Sequence, residues 1–162
     1  MGHPGVPADR AQVISTQSRF DRATSVALSY LQNMDPVLRA QFKQTVFRFD
    51  PLPVDWPAEF AILTAHDPEG MVTDPTDNQV ADHTLAEELR GAGYRLHRII
   101  GQSSDGAHQE PGWAVTVGLP GAIELGRRYG QLAIFYIRQG RLTLVACADG
   151  EGEDLGRDFR AV

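Results

Sequence analysis

The sequence predicts an α+β fold: a ferredoxin-like (split β-α-β) antiparallel sheet with its helices on one face, extended by an extra C-terminal strand and by helices and a strand on the N-terminal side. Three observations carry this. From residue 58 onward, runs of strand length and two segments of helical spacing follow one another in the order β-α-β-β-α-β-β, whose first six elements match the split β-α-β motif. Right-handed crossovers then place the four core strands in the spatial order 4-1-3-2, with both helices on one face. A chain of 162 residues with 42% hydrophobic and 22% charged residues also has enough apolar material for one core without disulfide staples.

The elements follow in order. Residues 1–18 are rich in Gly, Pro and small polar residues and are expected to lack fixed structure. In DRATSVALSYLQ, 21–32, Val26, Ala27, Tyr30 and Leu31 fall at helical spacing behind Asp21 as a cap. Asp35-Pro36, a cap and a first-turn proline, opens a second helix to about Phe42. QTVFRF alternates as a strand with Thr45, Phe47 and Phe49 on one face, and DPLPVDWP, with three prolines, is a connector. EFAILTA reads as a buried strand and HDPEGMVTDPTD as a loop. NQVADHTLAEELR sets Ala81, Leu85 and Leu89 on one helical face, with Asp77 or Asn78 as its cap and Gly91 or Gly93 as its end. YRLHRIIG is a strand, SSDGAHQEPG a loop, WAVTVGL a strand and PGAIELGRRYG a helix. QLAIFYIRQGRLTLVAC is a hairpin turning at Gln139-Gly140. The acidic ADGEGEDLGRDFRAV is expected to be a mobile tail. The organisation is thus one domain over residues 19–148, with its core in 58–148, between tails 1–18 and 149–162.

The formal charge of −6 is unevenly spread. Residues 1–49 carry six Lys+Arg against three acids, whereas residues 50–162 carry nine against eighteen. Nucleic-acid binders cluster cations against phosphates, so an acidic core argues against that partner class. No apolar run approaches a membrane span, and the first residues contain no apolar signal region, so the expected location is cytoplasmic. One cysteine, Cys147, excludes an intramolecular disulfide and a multi-cysteine zinc site.

The expected topology brings distant polar residues to one edge of the sheet. The first core strand ends at Thr64, followed by His66-Asp67. Its two antiparallel neighbours begin beside that end, at Glu110 and at Gln131, and Asn78 lies where the first core helix begins. Thr64, Asn78, Glu110 and Gln131 are therefore the candidate ligand-binding residues, with His66 and Glu110 as candidate acid–base catalysts. Each also has a structural use. Asn78 suits a helix cap, Thr64 and Gln131 suit strand-end backbone groups, and His66 and Glu110 suit a solvated loop.

The stretches FAILTAHDPEG, Asn78 opening a helix, EPGWAVTVGL and LGRRYGQLAIFY resemble an uncharacterised bacterial domain-of-unknown-function family with the patterns FAxxTAxNP, a helix opened by Asn, a Glu-Pro or Glu-Ser segment before a strand, and GQxAIF. The resemblance spans about residues 58–137. It departs at His66-Asp67, where the family pattern has an aromatic or polar residue followed by Asn, and at Gly112, where it has serine. It implies no activity, substrate or cofactor; it supports the choice of Thr64, Asn78, Glu110 and Gln131.

Other chemistry finds no pattern. The five histidines include no HExxH, and His108-Gln-Glu110 lacks the P-C-x-x-C partner of zinc deaminases. His66, Asp67 and Glu110 are the residues nearest to a metal-ligand set, but loop carboxylates are ordinarily solvated, and no metal or cofactor is expected. There is no G-x-S-x-G elbow and no phosphate-binding glycine loop. The acidic 149–154 segment fails the calcium-loop spacing. The sequence favours a small binding or regulatory module for a small molecule or partner protein; the other reading is a small hydrolase or lyase using His66 and Glu110.

Overall fold

The computed structural model describes residues 28–162. The expected tail 1–18 and most of the first expected helix lie outside the described residues. Within the described residues Leu28 and Ser29 are not helical, and a separate turn, α1 (Tyr30–Asn33), is opened by Ser29 as N-cap in a capping box with Gln32. Asp35 caps α2 (Pro36–Gln44) through the amides of Val37 and Leu38, and Pro36 occupies the first turn, where no N–H is required. β1 (Val46–Phe49) follows, then the proline-rich connector. Next come β2 (Phe60–Leu63), a loop to residue 74, and α3 (Pro75–Gly91). The chain continues through β3 (Leu96–Gln102), β4 (Gln109–Val115), α4 (Leu119–Arg128), β5 (Ala133–Arg138), β6 (Arg141–Ala146) and β7 (Gly152–Asp158).

The strands form one antiparallel sheet in the order β1-β3-β4-β2-β5-β6-β7. Its four inner strands, β3-β4-β2-β5, stand in the order expected from the sequence. The sheet curls until its two edges approach. Phe47 of β1 bridges Ala161, Val162 donates its N–H to Phe47 O at 3.0 Å, and Arg157 donates to the carbonyls of Lys43 and Thr45.

Strand alternation divides the apolar side chains into two cores. Ala61, Leu63, Trp113, Val115, Ile134 and Tyr136 face α3 and α4 on the convex side. Phe47, Phe49, Phe60, Ile62, Ile99, Phe135, Ile137, Leu142 and Leu144 fill the concave side under α1, α2 and the connector. Phe159 inserts here, 5.2 Å from Phe60 and 5.6 Å from Phe47 between ring centres, so the residues after β7 pack into the curled sheet.

Three expectations are corrected. The acidic segment expected as a tail after residue 148 contains β7, because its charges are paired. Glu153 meets Arg39 and Lys43, and Asp154 and Asp158 meet Arg141. α3 begins three residues before Asn78, with Asp74 as its cap in place of Asp77 or Asn78; Pro75 at its first position sets the start. β4 begins at Gln109, so Glu110, Pro111 and Gly112 belong to a strand and the preceding loop ends at His108. Proline is accommodated because β2 ends at Leu63, so the side of β4 facing it is unpaired from residue 112 back.

Candidate functional site

A cavity of about 680 Å³ opens at one end of the concave face. Its floor is apolar: Leu38 and Phe42 of α2, Phe47, Ile62, Ile99 and Phe135. Alternation explains the polar wall. Thr64 shares the parity of Phe60 and Ile62, Glu110 that of Ala114, and Gln131 that of Ala133 and Phe135, so all three face the concave side. Gly101 and Gly112, on adjacent strands, share that face and line the cavity without side chains. A Cβ on Gly112 would lie 2.6 Å from Leu63 O, so glycine is also required where β2 and β4 come together.

Four of the five sequence candidates line this cavity: Thr64, His66, Glu110 and Gln131. Thr64 Oγ1 donates to Pro111 O at 3.0 Å and accepts from His66 N at 3.1 Å, prolonging the sheet one step past β2. Gln131 Nε2 donates to His66 O at 3.1 Å and so ties β5 to the loop after β2. Asn78 lies behind the wall and is the buried polar side chain among the described residues. Its Oδ1 accepts from Asp67 N, and its Nδ2 donates to Asp67 Oδ1, both at 2.9 Å. Thr73 N also donates to Asp67 Oδ1. These bonds hold Asp67 at φ 46°, a left-handed conformation that non-glycine residues seldom adopt.

The electrostatics separate the two proposed catalysts. Burial pushes the Glu110 carboxyl above its ordinary range, and the Asp67 charge adds to the shift while Thr64 and His108 oppose it. Burial pushes the His66 imidazole down, against the charges of Asp82 and Asp67. The Asn78 hydrogen bond holds Asp67 below the usual carboxylate range. His66 thus answers to Asp82 and Arg98 on the convex side, whereas the histidine acting on Glu110 is His108.

Sequence reasoning missed His108, Asp105, and the α2 residues Leu38 and Phe42, all of which line the cavity. The signal for α2 was its pairing with an aromatic strand; Phe42 meets Phe135 edge-on at 6.1 Å. Among the described residues, no group of three or more His, Cys, Asp or Glu side chains could hold a metal ion.

Residues 63–134 match the family model described as "Protein of unknown function (DUF3293)". The DUF3293 span includes all five candidates, Asp67 and His108, whereas α1, α2, β1, β6 and β7 lie outside it. Part of the cavity floor is therefore supplied from beyond the matched residues. No curated protein and no solved structure matches the chain. No helix among the described residues is long and apolar enough to cross a membrane.

Proposed function

We propose that the protein is a small soluble binding or regulatory module whose ligand enters the concave cavity and meets Thr64, Glu110 and Gln131 at its polar wall. The observation that carries this reading is the cavity itself. It has the size of a small-molecule site, an apolar floor, and a few polar groups delivered from strands far apart in sequence. Asn78 acts in this reading as a positioning residue, fixing Asp67 and the loop that forms one wall. The inner strands with α3 and α4 support a ferredoxin-like unit, extended by β1 on one edge and by β6 and β7 on the other. A buried, unpaired thiol at Cys147, pushed up to about 11 by burial, fits the reading of a bacterial cytoplasmic protein.

Binding is favoured over hydrolysis or lysis by His66 and Glu110, because the hydrogen bonds at His66 run from its backbone to Thr64 and Gln131 and none joins its imidazole to the Glu110 carboxyl. The test is a thermal-shift screen of small aromatic and aliphatic fragments against the wild type and Gly101→Val. A Cβ at Gly101 would lie 3.3 Å from Thr45 Cγ2 and 3.9 Å from Phe47, so valine fills the cavity floor. Fragments that stabilise the wild type and leave a folded Gly101→Val protein unmoved support the reading. Stabilisation that survives the filling contradicts it.

A further inference from the structure

Resting on the reading of this cavity as a ligand site, we propose that its ligand is a protonated organic amine with an aromatic or other apolar body, held by Glu110 as the counter-charge. The described residues that line the cavity include three carboxylates, Asp67, Asp105 and Glu110, and no Lys or Arg, although the chain has 15 of these cations. A phosphate or carboxylate ligand would enter this wall against like charge with no guanidinium to receive it.

The three carboxylates differ in what they have left to offer. Asp67 is committed to Asn78 and Thr73, and Asp105 to the Ser103 hydroxyl and the Ala107 amide of its own turn. Glu110 faces the Thr64 hydroxyl, which also reaches Pro111 O, together with the Asp67 charge and His108, but no Lys or Arg. Other partly buried carboxylates of the fold meet a cation: Asp82 meets Arg98 at 2.7 Å, Glu153 meets Arg39 at 2.8 Å, and Glu88 meets Arg128. Glu110 forms no ion pair among the described residues. A half-buried carboxylate without a cation is costly to keep, and a ligand ammonium would supply the missing partner. Below it, Phe42, Phe47 and Phe135 form a floor of edge-to-face rings, Phe47 and Phe135 with centres 4.9 Å apart, suited to an apolar body.

The experiment titrates the full chain at pH 7 by calorimetry with three probes of similar size: 2-phenylethylamine, 2-phenylethanol and 3-phenylpropanoate. Wild type, Glu110→Gln and Gly101→Val are compared. The expected result is an amine affinity about tenfold above that of the alcohol, a clear rank that one charge-assisted contact can supply. The anion should not bind detectably, the amine preference should vanish in Glu110→Gln, and all binding should fade in Gly101→Val. If alcohol and amine bind equally and Gly101→Val removes both, the cavity reading stands and the amine is overturned. An amine preference that persists in Glu110→Gln overturns the role of Glu110. If no probe binds, the amine and the cavity reading fall together.

Discussion

Asn78 and Glu110 show opposite consequences of taking a polar side chain out of water: the hydrogen-bonded amide stabilises, whereas the carboxyl without a cation costs. Asn78 makes two hydrogen bonds with Asp67 from a buried position, accepting from its N–H and donating to its carboxylate. Asn78→Ala removes both and leaves the Asp67 amide without that partner, so urea denaturation should show a loss of about 1–3 kcal/mol. A loss within experimental error would mean that the loop holds its left-handed Asp67 without Asn78. Glu110 is an acid whose folded pKa is raised by burial. Below the ordinary carboxylate pKa of about 4.3 both states are protonated and the site costs nothing. As pH rises, the unfolded chain ionises first, so stability falls until pH passes the raised folded value. Glu110→Gln should therefore match the wild type in acid and at pH 7 equal it or melt up to about 4 °C higher. A marked fall in melting temperature at pH 7 would show that the ionised carboxylate stabilises the fold.

At the scale of elements, the β-α-β-β-α-β-β core could be read because its signals are local: apolar runs, helical spacing behind a cap, and left-handed glycines such as Gly93 and Gly130 after α3 and α4. β7 was hidden for the opposite reason. Its glycines and acids resemble a solvated tail, and the cations that pair them, Arg39, Lys43 and Arg141, are remote in sequence or on the facing strand. A weak signal was present in Leu155 and Phe159, which share a parity and are partly buried. Phe159→Ala is predicted to cost about 1–3 kcal/mol in chemical denaturation, less than a fully buried phenylalanine would. An unchanged midpoint would return this segment to the status of a tail. Glu110 was placed in a loop because Pro111 and Gly112 are turn residues. Only the early end of β2 makes them compatible with a strand, and that is a fact of pairing, which local pattern does not encode.

Across the whole molecule, polar convergence was legible from topology, because antiparallel neighbours must begin where β2 ends. The depth of the site was not, since it depends on the curl that brings β1 to Ala161 and swings α2 over the concave face. Gly101 adds no side chain to that floor, and Gly112 has no room for one. Function follows from the enclosed volume in this account, with the candidate residues arranged around it. The most direct measurement is amide chemical-shift mapping of the full chain with the fragments that stabilise it. The account predicts shifts concentrated at Thr64, Ile99, Gly101, Glu110, Gln131 and Phe135. Shifts gathered instead around Arg127 to Gly130 and Ala81, on the other side of the loop after β2, would contradict it.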